Sequence, residues 1–134
     1  LHTTCRRQRQ MCIRDRPCAH WITPEVEPKR FDTRFFLAKV NAKQLATHDG
    51  FELTESFWIT PADALVKLKN GEMNMILPTI ENIEKLAEFS SSVEAFNYFQ
   101  GLGDNAIPPI LPKFIKRDGE WIGFLPGEEG YDNV

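Results

Sequence analysis

Strands followed by amphipathic helices and a closing hairpin predict an α+β fold for this 134-residue chain. Three observations carry that prediction. Residues 34–40 (RFFLAKV) form a compact, nearly continuous apolar run, the pattern of a strand buried on both faces. Ile80, Ile83, Leu86 and Ala87 recur at helical spacing against Glu81, Glu84, Lys85 and Glu88, which makes an amphipathic helix. Asp118-Gly119 separates residues 114–117 from residues 121–124, and an Asp-Gly pair between two apolar runs is the signal of a two-residue hairpin turn.

Taken in order, the run at 34–40 is expected as a central strand. His48, Asp49 and Gly50 then make a turn, and residues 53–59, with Phe57 and Trp58, read as a second strand. Thr60 suits an N-cap, Pro61 the first helical position, and Asp63 the positive end of the helix dipole. That helix should reach Lys69 and stop at Asn70-Gly71, because glycine takes the left-handed conformation at little cost. The amphipathic helix follows Pro78 and Thr79. Ser91 and Glu94 have capping-box spacing for a further short helix, whose Val93, Phe96 and Phe99 should point inward before Gly101 ends it. These last two helices are expected to pair antiparallel. Residues 101–112 read as a loop punctuated by Gly103, Pro108 and Pro109, and the hairpin closes the chain.

Composition narrows the function classes. With 42% hydrophobic and 11% aromatic residues the chain is globular, of a length that suits one domain. No apolar run approaches the ~18 residues of a membrane span, so no membrane partner is expected. Cys5, Cys12 and Cys18 are spaced C-x6-C-x5-C, which fits neither the usual zinc spacings nor a disulfide framework and points to a reducing, cytoplasmic compartment. The first sixteen residues, LHTTCRRQRQMCIRDR, hold five arginines and one aspartate, a net charge of +4, whereas residues 17–134 carry a net of −7. The acidic remainder argues against nucleic acid as a partner, since counterion displacement needs clustered Lys and Arg. A basic nucleic-acid-binding arm would depend wholly on residues 1–16.

Residues 19–36, AHWITPEVEPKRFDTRFF, carry the most specific signal, which continues through RFDTRFFLAKV, HDGFELTESFWITPADAL, LPTIENIEKLAEF, PPILPKF and FLPGEEGY. These segments resemble the Nudix hydrolases, in the branch similar to coenzyme A and acyl-coenzyme A diphosphatases, over residues 19–134 and in the order of that family's C-terminal portion. The resemblance implies a Nudix-like α/β/α sandwich with a mixed sheet, here incomplete, with C-terminal helices and a terminal hairpin. It also implies metal-assisted attack of water on a diphosphate in a small nucleotide-linked substrate, with Mg2+ or Mn2+ as cofactor in the parent enzyme. The family's box, G-x5-E-x7-R-E-U-x-E-E-x-G-U with U aliphatic, has no counterpart: the chain contains no Arg-Glu-x-x-Glu-Glu run. In Glu81, Glu84 and Glu88, Lys85 stands where a second adjacent carboxylate would be needed, so a solvated helix face is expected there and no metal ligands are assigned.

MCIRDR resembles a translated sequencing adapter, and residues 1–17 are expected to be a non-native or disordered basic segment, residues 18–134 the C-terminal portion of a Nudix domain. On that reading the chain is a truncated fragment, inactive alone and with no bound metal, whose aromatic strands are partly uncovered. The alternative is a noncatalytic Nudix-like binding or interaction module.

Glu52 is the candidate catalytic residue, because Nudix enzymes often supply a carboxylate from outside the box to orient or deprotonate water near the metal. Glu55, three residues on, should face the opposite side of a strand. Arg30, Asp32 and Arg34 alternate along RFDTR and should share a face. Arg30 and Arg34 are candidate substrate ligands, gripping phosphate by the guanidinium fork with Asp32 fixing the geometry, and the competing reading is a self-satisfied ionic row. His20 is the third candidate substrate ligand, beside Trp21, with a partly buried structural histidine as its alternative. Trp58 reads as a packing residue anchoring the Pro61 helix, and His48-Asp49 as turn chemistry.

Overall fold

The computed structural model describes residues 15–40, 56–103 and 107–134. The fold is α+β, with three helices and two small antiparallel sheets among the described residues. The described residues divide into two compact units, one formed by 38–40 and 56–97, the other by 15–37, 98–103 and 107–134.

The first unit is helical. Helix α1 (Pro61–Lys69) begins as its sequence dictates: the Thr60 hydroxyl accepts the Asp63 N–H at 3.1 Å and donates to the Asp63 carboxylate at 2.7 Å, with Pro61 in the first turn. It ends in a Schellman motif, the N–H of Glu72 reaching the Lys67 carbonyl and that of Gly71 the Leu68 carbonyl, with Gly71 at φ +75°. Helix α2 (Leu77–Ala87) starts ahead of Thr79, with Pro78 in its first turn. Ile80, Ile83 and Leu86 are half-buried, Glu84, Lys85 and Glu88 are exposed, and Ala87 is exposed rather than inward-facing.

Helix α3 (Ser92–Leu102) opens on a modified capping box. Ser91 Oγ accepts the Glu94 N–H at 3.1 Å, and the Glu94 carboxylate reaches back to Ser90, accepting its N–H at 2.8 Å and its hydroxyl. Three expectations about this region are corrected. Helix α2 packs against α1, to which a seven-residue connection ties it. Val93 is 59% exposed, because the inward face is set by Ala95, Phe96 and Phe99 and Val93 falls outside it. The helix runs through Gly101, and the left-handed residue that follows it is Gly103, φ +76°. Residues 56–59 form no ladder with any described strand, so the described part of the expected strand at 53–59 is irregular.

The second unit is built on β1 (Arg16–Ile22), a strand the sequence reading did not anticipate, paired antiparallel with β2 (Asp32–Leu37). The register sets Ala19 opposite Phe35, His20 opposite Arg34 and Trp21 opposite Thr33, and slips between Pro17 and Ala19, where Cys18 is the extra residue of a bulge. The other edge of β1 meets Ile110: Ile22 N–H donates to the Ile110 carbonyl at 2.9 Å and Ile110 N–H to the His20 carbonyl at 2.7 Å. Among the described residues β1 is therefore the inner strand. Its inward face carries Ala19 and Trp21, the latter only 4% exposed, and β2 adds half-buried Phe35 and Leu37.

This overturns the expectation of a doubly buried central strand at 34–40. The strand covers 32–37 instead, it alternates, and Phe36 is 55% exposed on its outer face. The connection is closed by Thr23, whose N–H donates to the Phe31 carbonyl and whose hydroxyl oxygen accepts the Phe31 N–H, both at 2.9 Å.

Strands β3 (Lys113–Arg117) and β4 (Glu120–Phe124) form the predicted hairpin. Asp118 at φ 53° and Gly119 at φ 90° give the two positive-φ central residues of a type I′ turn. Gly123 lies opposite Phe114, whose ring would stand 2.7 Å from a Cβ at that position. After β4 a 3-10 turn (Tyr131–Asn133) folds back on β3: Lys113 Nζ donates to the carbonyls of Tyr131 and Val134 at 3.1 and 2.8 Å, and the Tyr131 hydroxyl to the Leu111 carbonyl at 2.9 Å.

Candidate functional site

Two surfaces concentrate chemistry, one in each unit. The first is the outer face of the β1–β2 ribbon. Because side chains alternate across a strand, the face opposite Ala19 and Trp21 carries His20 from β1 and Arg34 from β2, directly across from each other. His20 Nε2 lies 2.5 Å from Asp32 Oδ1, a diagonal contact between strands, with the His20 side chain 14% exposed and Asp32 63% exposed. The imidazole is thus packed along its length and tied by its tip to a solvated carboxylate.

Among the sequence candidates, then, His20 and Arg34 come together and Arg30 does not join them. Arg30 precedes β2, outside the two-residue alternation, and its Nε donates to the Thr23 carbonyl at 3.0 Å. The expected Arg-Asp-Arg row does not form: the ion pair of Asp32 among the described residues is with His20. Arg34 is exposed and has no ion-pair partner among the described residues. Cys18, in the bulge, has its thiol pKa raised by burial, with the neighbouring Ala19 backbone acting in the opposite sense, so it stays protonated at neutral pH.

The second surface is a trough in front of α1 with a volume of about 650 Å³, lined by Phe57, Trp58, Ile59, Thr60, Asp63, Val66, Lys67 and Glu72. Trp58 is 71% exposed, so it does not anchor α1 as a packed residue; it stands as a wall of this trough. Lys67 Nζ meets Glu72 at 2.9 Å and Asn70 donates to the same carboxylate at 3.2 Å. The Lys67 hydrogen bond holds Glu72 below the usual carboxylate range, and the same bond raises Lys67. The missed signal was the Phe57-Trp58 pair ahead of a capped helix: two large aromatics with no alternation around them to bury either.

Glu52, with Glu55, His48 and Asp49, lies outside the described residues. Among the described residues no three His, Cys, Asp or Glu side chains gather closely enough to hold a metal ion. Glu84 on α2 and Glu88 at its C-cap are exposed, with Glu88 bound to Lys85 at 2.6 Å.

The chain is similar to Nudix hydrolases, among them proteins named as acyl-coenzyme A diphosphatases. It is 26% identical over 117 residues to the acyl-coenzyme A diphosphatase NUDT19 of Xenopus laevis, covering 84% of this chain and 31% of that protein. It is likewise 26% identical over 113 residues to the acyl-coenzyme A diphosphatase NUDT19 of Homo sapiens, covering 83% and 30%. A Caenorhabditis elegans protein named "Putative nudix hydrolase 7" is 28% identical over 113 residues, covering 83% and 37%. The chain therefore spans about a third of the length of the curated relatives it matches. No family model matches the chain, and no solved structure does. No helix among the described residues is long and apolar enough to cross a membrane.

Proposed function

We propose that this chain is part of an enzyme that hydrolyses the diphosphate linkage of coenzyme A or acyl-coenzyme A, yielding 3′,5′-adenosine diphosphate and (acyl-)phosphopantetheine. The observation that carries the reading is the relationship to acyl-coenzyme A diphosphatases along 84% of the chain. The ribbon face supplies its local chemistry. Arg34 offers a planar fork of donors suited to phosphate oxygens, and His20, oriented by Asp32, stands opposite it. Arg30 acts as a weaker ligand, because its Nε already serves the Thr23 carbonyl.

The described residues do not make a divalent-cation site. Mg2+ or Mn2+ belongs to the parent enzyme and is not held by this chain alone, and Glu52 is the carboxylate that would orient water near the ion. The basic residues ahead of β1 take no part, Arg16 and Pro17 being strand residues, the compartment is cytoplasmic, and the chain alone does not turn over.

The test is to purify the chain as written and assay coenzyme A cleavage with Mg2+ and with Mn2+, following phosphopantetheine release, alongside calorimetric binding of 3′,5′-adenosine diphosphate. Binding without turnover is the expected result. Turnover abolished by Glu52→Gln would show that the chain holds a working site without the box. Absence of both binding and turnover would favour the noncatalytic interaction module.

A further inference from the structure

We infer that Phe36 is the base-stacking residue of the β1–β2 ribbon, so that the outer face of the ribbon takes the nucleotide end of the substrate; this rests on the diphosphatase reading above. Asp32, Arg34 and Phe36 alternate along β2 and share that face. Phe36 is 55% exposed there and Arg34 beside it is exposed, whereas Phe35 and Leu37, which point the other way, are half-buried. A phenyl ring held in water next to an arginine sets a π-face beside a phosphate ligand. Pro17, directly across from Phe36, adds an apolar ring to the same face and widens the surface on which a base can lie.

Spacing and order choose the nucleotide end. Residues two apart on a strand are separated by about 6.5 Å along it, a span that one ribose bridges between its phosphate and its base. In coenzyme A only the nucleotide half sets an aromatic ring one sugar away from a phosphate; the pantetheine arm has no aromatic ring and reaches its phosphate through an aliphatic chain. The order along β2 gives the direction. Asp32, whose carboxylate holds His20 Nε2, lies on the far side of Arg34 from Phe36, so a phosphate seated between Arg34 and Phe36 is kept away from that like charge.

The test uses the full chain, with titrations followed by the backbone amide shifts of β1 and β2. The probes are ribose 5-phosphate, which lacks the base, 5′-adenosine monophosphate and 3′,5′-adenosine diphosphate. The monophosphate should bind about five- to a hundredfold more tightly than ribose 5-phosphate, the range of one base–aromatic stack, and the 3′,5′-diphosphate more tightly still. Phe36→Ala should remove most of the advantage that the base confers and leave ribose 5-phosphate unchanged. Phe36→Tyr should restore that advantage, and Phe36→Leu, which keeps apolar bulk without a π-face, should not. Arg34→Ala should weaken all the probes.

A Phe36→Ala chain that binds the monophosphate as the parent does, or a Phe36→Leu chain that matches Phe36→Tyr, overturns the inference and leaves the diphosphatase reading standing. Binding that depends on Phe36 but gains nothing from the 3′-phosphate keeps the stacking residue and counts against coenzyme A as the parent's substrate. Absence of shifts in β1 and β2 with every probe overturns the inference together with the phosphate role of the ribbon. An apparent mass in sedimentation that doubles for the parent chain and falls for Phe36→Ala, with no effect of nucleotide, gives the face to a second copy of the chain and overturns the inference.

Discussion

His20 stands directly opposite Arg34 across the β1–β2 ribbon, while its Nε2 is held by Asp32 on the same outer face. The pairing leaves Arg34 exposed and uncommitted to any ion pair among the described residues, and Arg30 hydrogen-bonded to the Thr23 carbonyl. If the ribbon binds phosphate as proposed, Arg34→Ala should weaken 3′,5′-adenosine diphosphate binding by about ten- to a hundredfold, the loss of charge-assisted hydrogen bonds. Arg30→Ala should weaken it by less. Calorimetry on the two variants settles the order, and equal losses would show that the ribbon register does not govern the site.

Asp32→Asn probes the same face for stability. Asp32 is 63% exposed, so its contact with His20 is screened and contributes no more than about 1 kcal/mol. The expected result in urea is a small loss of stability that shrinks further at high salt. A loss of several kcal/mol would mean that the pair is far better shielded from solvent than its exposure indicates.

The start of α1 depends on a single side chain. Thr60 accepts the Asp63 N–H and donates to the Asp63 carboxylate, so Thr60→Ala removes the cap and leaves an orphan donor in the first turn. The cost should be about 1 kcal/mol by urea denaturation. Thr60→Ser, which keeps the hydroxyl, should restore most of it.

Acid should loosen α3 through Glu94. The hydrogen bond from the Ser90 hydroxyl, and then that from the Ser90 N–H, hold its carboxyl below the ordinary 4.5. A depressed folded-state pKa means that the unfolded chain binds the proton more readily, so the contribution of the cap is whole above pH 4.5 and is lost as pH falls through the lower folded value. Protection of the α3 amides, relative to their intrinsic exchange rates at each pH, should fall below that pH. Glu94→Gln should show lower protection at neutral pH and lose the acid dependence of that protection.

What the sequence disclosed follows how local each determinant is. Thr60, Pro61, Asn70-Gly71, Ser91-Glu94 and Asp118-Gly119 act through backbone geometry within a few residues, and the helix and hairpin they predict are present. Strand β1 escaped notice because Pro17 and the bulge at Cys18 break its alternation, and pairing with β2 and Ile110 sustains it from a distance. The exposed Phe36 and Val93 were misread for a related reason: an apolar residue reports burial only where a partner element covers it. Of the site, alternation correctly put Asp32 and Arg34 on one face, but the partner of Asp32 proved to be His20, twelve residues earlier and on another strand.

The segment after β4 is fastened by two residues that are 18 apart in sequence. Lys113 Nζ bonds the carbonyls of Tyr131 and Val134 and lies 4.4 Å from the centre of the Tyr131 ring, while the Tyr131 hydroxyl bonds the Leu111 carbonyl. Tyr131→Phe deletes one hydrogen bond and keeps the ring under the ammonium, so it should cost about 1 kcal/mol. Lys113→Met keeps the stem of the side chain but removes both carbonyl bonds and the cation, and residues 125–134 should then exchange their amides faster and be cut sooner by protease. Because β3 and β4 are paired through their own ladder and Asp118-Gly119 turn, exchange within the hairpin should change little in either variant. Loss of hairpin protection in Lys113→Met would show instead that the clasp and the hairpin open as one cooperative unit.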